Sequence, residues 1–390
     1  MSYDPWEIAE EIREQLASEK RKIAFFFGAG TSMAVGLPGI DLLTEKIASE
    51  LKEAEKTSYE SVKSHLPEKV NIELILDRIR IIRELIGDSE EREIDGLKGK
   101  KNAANLDSRI CELISKIIKE AKIPEDKPHN IFAQWLWLLH NKRYYPAEIF
   151  TANYDLLFEI SMEAYGVPFF DGFIGAVNPF FAPESVEADK GSIHEDVLPP
   201  RAWTRLWKMH GSINWHIHEN KKITRFLNGH SKGELVIFPS REKYSESRKL
   251  PFIAFQDRFR RVLTIGECLL IVVGYSFSDE HINDILFQSL RSNPRLSASS
   301  FLFGEEVVEG KRTIPDKILK YGIEHRNLSI LGPDQACIGG IIEKWSSPSR
   351  APKEDQKWVF WDSTQKIFTL GDFNLFASFL EKIYWSSFLP

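Results

Sequence analysis

The chain is poor in cysteine and has no long apolar run, and each scarcity removes a class of protein. Only three cysteines occur in 390 residues, Cys111, Cys268 and Cys337. They lie far apart and form no CxxC pair, which excludes both a disulfide framework and a zinc ribbon. Cys268 sits inside an apolar run and reads as a small core residue. No apolar stretch approaches the ~20 residues that cross a bilayer, so no membrane role is expected. Basic residues are in deficit, with 51 Lys and Arg against 57 Asp and Glu and a formal charge of −6. Such a surface gives no bulk attraction to nucleic acid, which leaves local basic patches or contact through a partner. The N-terminal residues, with Glu7, Glu10, Glu11 and Glu14, show no signal-peptide pattern, and a cytoplasmic protein is expected.

What the chain does have is material for a core. Hydrophobic residues make up 43% and charged residues 28%, enough for one large domain with an insertion or for two domains. The opening residues read as an amphipathic helix with Trp6, Ile8, Ile12 and Leu16 at helical spacing. IAFFF at residues 23–27, strand-favouring and uncharged, reads as a strand buried on both faces. It runs into Gly28-Ala29-Gly30-Thr31-Ser32 and then Gly36-Leu37-Pro38-Gly39, after which Asp41 is placed to N-cap a helix over residues 42–54. Residues 51–140 turn charged and helical, which predicts a helical insertion with residues 87–105 as its flexible connection.

Strands resume at residues 147–150, with others at 205–209, 235–238, 269–273, 300–303 and 328–331. Helices between them predict an α/β fold, a Rossmann-like, mostly parallel sheet with helices on both faces. Residues 174–202 and 216–250 read as long loops over its ligand edge. A nucleotide-binding domain over residues 1–345 is followed by an appendage, residues 346–390, crowded with Trp358, Phe360, Trp361, Phe368, Phe373, Phe376, Phe379, Tyr384, Trp385 and Phe388. So much ring surface must be buried, against the same subunit or at a subunit interface.

Polar clusters follow the predicted strands, where a parallel sheet places its ligand crevice. They are GAGTS at residues 28–32, TANYD at 151–155, KMHGSINW at 208–215 and GYSFSDEHIN at 274–283. Glycine permits close backbone approach and a helix start offers free N–H groups, which suits a pyrophosphate. Each cluster also has a plainer reading: a ligand-free turn at GAG, a helix cap for Asp155, a backbone-bonded turn histidine for His210, a helix start for Ser276 and Asp279. Order and strand context agree at all four places, and that joint pattern carries the weight.

Together the motifs resemble the nucleotide site of the sirtuin (silent information regulator) family, which reads GAG-x-S with a downstream G-x-P, T-x-N-x-D, a histidine-glycine pair and G-x-S. The resemblance covers roughly residues 20–50 and 140–345 and implies NAD as the substrate. It would place Gly28, Ala29, Gly30, Thr31 and Ser32 at the pyrophosphate, with Pro38 of G-x-P among the contacts. Gly274, Tyr275 and Ser276 would face the adenosine half, and Asn153, Asp155 and His210 the nicotinamide ribose. Two departures stand out. A deacylase of that family carries a four-cysteine zinc ribbon between the histidine and G-x-S, where this chain has no CxxC pair, and D-F-R after G-x-P is replaced by Gly39-Ile40-Asp41. With the large insertion, these favour the sirtuin-like proteins of prokaryotic antiphage defence, which hydrolyse NAD, here without zinc or another cofactor. FFDGFIGAVNPFF, LPPRAWTRLWKMHGSINW and FPSREKYSESRK look most like the stand-alone subunit that works with a HerA-type hexameric ATPase; a homo-oligomer is also expected.

In that setting nicotinamide is a cationic leaving group, so its departure needs no general acid. An oxocarbenium-like ribose centre develops and needs a positioned nucleophile and electron-rich neighbours. Asn153 can orient a water or ribose hydroxyl, Asp155 by resemblance contacts the carboxamide, and His210, titrating near neutrality, can take the proton. Other readings stay open: a protein deacylase, an NAD- or ADP-ribose-binding regulatory subunit, and a nuclease. Against a nuclease, Lys221, Lys222, Arg225, Arg241, Lys243 and Arg248 are interleaved with Glu234, Glu242 and Glu246, a mixed solvated face. A Rossmann dehydrogenase would need a third glycine that GAGTS lacks.

Overall fold

The run IAFFF becomes the strand Lys22–Phe27 inside a nine-stranded sheet. The structure is a computed structural model describing residues 2–67, 70–140, 142–189, 192–218, 220–226, 234–237, 250–307, 312–350 and 359–386. In spatial order the strands are Ile341–Lys344, Gln335–Ile338, Leu328–Leu331, Leu296–Phe301, Cys268–Val273, Lys22–Phe27, Glu148–Thr151, Thr204–Lys208 and Phe169–Phe170. From Leu328–Leu331 to Phe169–Phe170 every pairing is parallel; the first two strands turn back antiparallel at one edge. This is the expected Rossmann-like α/β sheet. Because the chain starts at the middle of the seven parallel strands and then builds outward on both sides, the strand order reverses at Lys22–Phe27, where open α/β sheets form their crevice.

Burial on both faces explains the uncharged run. Ala24 and Phe26 point into one core, with Phe255 and Phe259 of the helix Phe252–Thr264 and Ile282 and Leu286 of the helix Glu280–Ser292. Ile23, Phe25 and Phe27 point into the other, with Ile12 and Leu16 of the helix Pro5–Ala17, Phe132 and Trp135 of Pro128–Leu139, and Phe158 of Leu157–Ala164. The C-terminal aromatics fold back here: Phe360, Trp361, Phe368, Phe373, Phe376 and Phe379 are buried in this second core. Trp358 and Phe388 lie outside the described residues.

Several boundaries differ from the sequence reading. Asp41 is not the cap; Gly39 holds that position and Asp41 sits in the first turn of the helix Ile40–Glu50. The insertion packs around its own core, where Leu43, Ile47, Tyr59, Ile75, Ile79, Ile110 and Ile114 meet, whereas Pro128–Leu139 belongs to the sheet. Residues 87–105 hold a small hairpin, Glu93–Ile94 with Leu97–Lys98, rather than only a connection. The two supposed long loops contribute to an antiparallel sheet of Glu234–Ile237, Gly211–Ile217, Ile223–Arg225, Phe180–Phe181 and Phe173–Ile174. So the 235–238 strand is real but pairs outside the central sheet. Arg241, Lys243 and Arg248 lie outside the described residues, as does the phrase at 238–249. No helix among the described residues is long and apolar enough to cross a membrane.

Candidate functional site

Register brings the four motifs to one edge. Phe27 pairs with both Val273 and Thr151, and Thr151 with Lys208. Gly28, Gly274, Ala152 and Met209 therefore leave adjacent strands at the same level. Backbone hydrogen bonds continue the ladder past the strand ends: Gly28 N–H to Val273 O at 3.0 Å, Ala152 N–H to Phe27 O at 3.2 Å and Met209 N–H to Thr151 O at 2.8 Å.

The glycines serve a purpose the sequence did not reveal. Gly30 N–H donates to Gly274 O at 2.9 Å, and a Cβ on Gly28 would lie 2.4 Å from that oxygen. Gly28, Gly30 and Gly274 thus let two loops interlock, and the N–H groups expected on a pyrophosphate are spent elsewhere, that of Gly28 on Val273 O and that of Gly30 on Gly274 O. Ala29, by contrast, is exposed at the first turn of the short helix Ala29–Met33.

Beneath this loop the side chains form one hydrogen-bonded network. Asn153 Nδ2 lies 3.1 Å from Gly28 O, 2.9 Å from Thr31 Oγ1 and 2.8 Å from Ser32 Oγ. A backbone carbonyl can only accept, so the amide nitrogen must face it, and the Asn153 Oδ1 is turned away. That oxygen has no hydrogen-bond partner among the described residues. Ser32 Oγ donates to Asp155 Oδ2 at 2.5 Å, while Asp155 Oδ1 accepts from Leu157 N–H at 3.0 Å. Asp155 therefore holds the first N–H of the helix Leu157–Ala164 from one residue before the cap position, which is Leu156, and anchors Ser32. Buried Lys208 supports the same turn from behind, donating to Asp155 O and pairing with Glu159 at 2.9 Å. Burial pushes the Glu159 carboxyl up, and the Lys208 ammonium opposes the rise.

His210 stands at the next strand end. Its Nε2 is 2.8 Å from Asp279 Oδ2, and both side chains are nearly buried. Burial pulls the imidazole down, but the hydrogen bond and charge of Asp279, with Glu73 and Asp77, outweigh it and hold its pKa above the usual 6.5. Asp279 also N-caps the helix Glu280–Ser292, its Oδ1 accepting from His281 N–H at 2.8 Å and Ile282 N–H at 3.1 Å. Its ion pair with a residue 69 positions upstream has no local signal in sequence. Glu73, on the insertion helix Ile72–Ile86, was missed altogether; it accepts from Tyr154 Oη at 2.8 Å, and the Tyr154 ring lies 6.5 Å from that of His210.

The remaining expected contacts separate. Ser276 is exposed, its Oγ 3.1 Å from Ser278 Oγ. Tyr275 turns inward instead: its ring packs 4.8 Å from Phe26, and its hydroxyl bonds Asn283 and the Asp279 carbonyl. The phenol belongs to the core, because an apolar ring with an internal acceptor is cheaper buried than exposed. Pro38 is half-buried in the loop before the helix Ile40–Glu50.

Residues 147–325 match the family model of the SIR2-like domain. The SIR2-like match contains Asn153, Asp155, His210, Gly274, Ser276 and Asp279; GAGTS and Pro38 precede it in sequence, and GAGTS joins it in space. Among solved structures, the chain is similar to one described under the structural basis for the mechanism and regulation of Sir2 enzymes. That match has 12% identity over 77% of this chain and 86% of that one, with TM-score 0.36. A second is a mutant Sir2 homologue in complex with ADP-ribose, at 12% identity over the same shares of the two chains and TM-score 0.38. No curated protein matches the chain at a significant level. The donor set does not fit a zinc ribbon: Cys111 lies in the insertion core, Cys268 and Cys337 in central-sheet strands, all buried. Among the described residues no group of three or more His, Cys, Asp or Glu is placed to hold a metal.

Proposed function

We propose that this chain is an NAD glycohydrolase, cleaving the bond between nicotinamide and ribose to give nicotinamide and ADP-ribose. One observation carries the reading. At neighbouring strand ends, Asn153 Oδ1 and His210 Nδ1 are polar atoms without a partner among the described residues, while every other polar atom of these two side chains is held. A fixed carbonyl and a fixed imidazole are what a bound water needs. As the C–N bond breaks, its electron pair passes to the pyridinium nitrogen and nicotinamide leaves neutral. The water oxygen bonds the ribose carbon and its proton passes to His210. Asn153 accepts a hydrogen bond from that water or from a ribose hydroxyl, and brings no charge that could collapse onto the cation. Asp155 holds Ser32 and the TANYD turn; any contact with the carboxamide would come from that position.

The SIR2-like match and the order of the motifs support a dinucleotide substrate. The antiphage setting and the HerA-type ATPase rest on the resemblance of the phrases quoted above, and co-purification with such an ATPase tests them. The enzyme reading is tested by incubating the purified chain with NAD, with and without that ATPase, and identifying the products. Nicotinamide and ADP-ribose in equal amounts, without an acyl acceptor, are expected. Asn153→Ala and His210→Ala should each remove turnover while leaving the protein folded, since acid–base help alone is worth about 10²–10⁴-fold. NAD binding without turnover in either assembly would instead make the chain a regulatory subunit. Product formed only with an acylated peptide would make it a deacylase.

A further inference from the structure

We infer that Asp279 is a positioning residue that makes Nδ1 of His210 the proton-accepting atom, an assignment that rests on the hydrolase reading above. The argument runs from hydrogen-bond chemistry. Asp279 is fixed before any ligand arrives, because its Oδ1 caps two N–H groups at the start of Glu280–Ser292. Its Oδ2 lies 2.8 Å from His210 Nε2. Burial raises the Asp279 carboxyl, but the bond and charge of His210, the Ile282 N–H and the charge of His281 more than offset that and hold it below its usual value. An ionised carboxylate only accepts, so Nε2 carries the hydrogen. In the neutral ring the lone pair is then on Nδ1, which has no partner among the described residues. The same logic orients the histidine of the Ser-His-Asp triad.

The arrangement has a second consequence. Asp279 ends the loop that begins at Gly274, and Gly274 is interlocked with Gly30. One loop therefore spans the glycine contact at the end of its own strand and the catalytic imidazole three strands away. The charges facing His210 are Asp279 from the start of Glu280–Ser292 and Glu73 and Asp77 from the insertion helix Ile72–Ile86, with the Tyr154 ring beside it. All three carboxylates stabilise the imidazolium, so the base is free only on the alkaline side of a raised pKa, and turnover should rise with pH above 6.5.

Asp279→Asn separates the two jobs of the residue. Asn caps a helix as well as Asp does, but with its oxygen on the cap it offers an amide N–H to Nε2. His210 must then carry its hydrogen on Nδ1, the wrong nitrogen. Expected are a fall in kcat of about 10²–10⁴-fold, a KM for NAD within about threefold of wild type, and an unfolding midpoint close to wild type. The acid limb of the pH profile should move down, because a carboxylate that raised the pKa is gone. Nitrogen-15 NMR of histidine-labelled protein should show His210 with hydrogen on Nε2 in the wild type and on Nδ1 in the variant. A kcat within about twofold of wild type, or an unmoved acid limb, overturns the assignment. If Asp279→Asn does not fold, Asp279→Ser, which also caps, takes its place. If the wild type does not hydrolyse NAD, the hydrolase reading fails, yet the wild-type spectrum still decides the dyad: hydrogen on Nδ1 overturns it.

Discussion

Gly30 and Gly274 are locked backbone to backbone: a Cβ on Gly30 would sit 2.7 Å from Gly274 Cα, and one on Gly274 would sit 2.7 Å from Thr31 N. The contact joins the first and fourth motifs and sets how far apart the two halves of the strand-end crevice lie. Gly274 also has φ +68°, a conformation that costs a residue with a side chain about 1–2 kcal/mol. Gly274→Ala should therefore lower stability by more than that strain alone and disorder the site beneath it. Gly36→Ala is the comparison, since Gly36 has φ +90° but open space around it. It should show the strain and keep activity. Denaturant titration and NAD turnover of both variants check this; equal losses of stability would mean that the interlock contributes nothing.

The insertion reaches the site through the hydrogen bond from Tyr154 Oη to Glu73 Oε1. Hydrogen bonds to charged groups contribute about 1.5–3 kcal/mol. Tyr154→Phe should loosen the insertion, which hydrogen exchange at residues 72–86 would read as faster opening. Glu73→Gln should act on chemistry as well: Glu73 helps hold the His210 pKa up, so its loss moves the acid limb of the activity profile to lower pH. The shift should be smaller than for Asp279→Asn, because Asp279 touches the ring and Glu73 does not. A shift in the opposite direction would contradict the placement of Glu73 beside His210.

His129 is fully buried, with neither ring nitrogen hydrogen-bonded among the described residues and the rings of Phe158 and Phe373 at 4.8 and 5.0 Å. Burial pulls its pKa from 6.5 down to about 4, with the charge of Asp155 opposing and that of Lys127 adding to the fall. The unfolded chain then binds a proton that the folded one refuses, so stability is full above pH 6.5 and falls as the pH drops toward 4. The loss amounts to about 3 kcal/mol. His129→Phe should flatten that part of the curve. Unfolding free energies of the two proteins across this range, taken as a difference, isolate the histidine from the carboxylates; parallel curves would show that it is not the titrating group.

How much of this was legible in the sequence depended on how local the signal is. Ile23 to Phe27 and Leu269 to Val273 announce central strands because both faces are apolar, and no helix periodicity competes. Phe169–Phe170 and Ile341–Lys344 sit at the sheet edges, are short or largely exposed, and carry no such run. The antiparallel sheet escaped notice because four of its strands are only two to four residues long, while its longer strand, Gly211–Ile217, begins inside the polar motif at 208–215 that was read as a strand-end cluster. At the site, Asn153 and His210 were readable from their place after strands. Asp279 was readable only as a cap, since the oxygen facing His210 is invisible until the helix is docked. Glu73 is one acidic residue among many on an amphipathic helix, and only the fold turns it toward Tyr154.

The C-terminal helix Phe373–Ser386 extends the core of the sheet, and this gives a sharp test of where the aromatics of that segment belong. Phe376 is fully buried with its ring 5.3 Å from Phe301, and Phe373 lies 5.5 Å from Phe27, two residues before the exposed Ala29. A ring deleted from a close-packed site forfeits its transfer energy and leaves a cavity, together about 3–5 kcal/mol. Phe376→Ala should cost that much in a dilute, monomeric sample, and the cost should not depend on protein concentration. Were these rings an oligomer contact instead, the variant would change the association state and lose stability in proportion to dilution. Denaturant titration at two protein concentrations, with sedimentation of the same samples, distinguishes the outcomes. A loss below about 1 kcal/mol would show that the helix is not part of the core that supports Phe27 and the strand end above it.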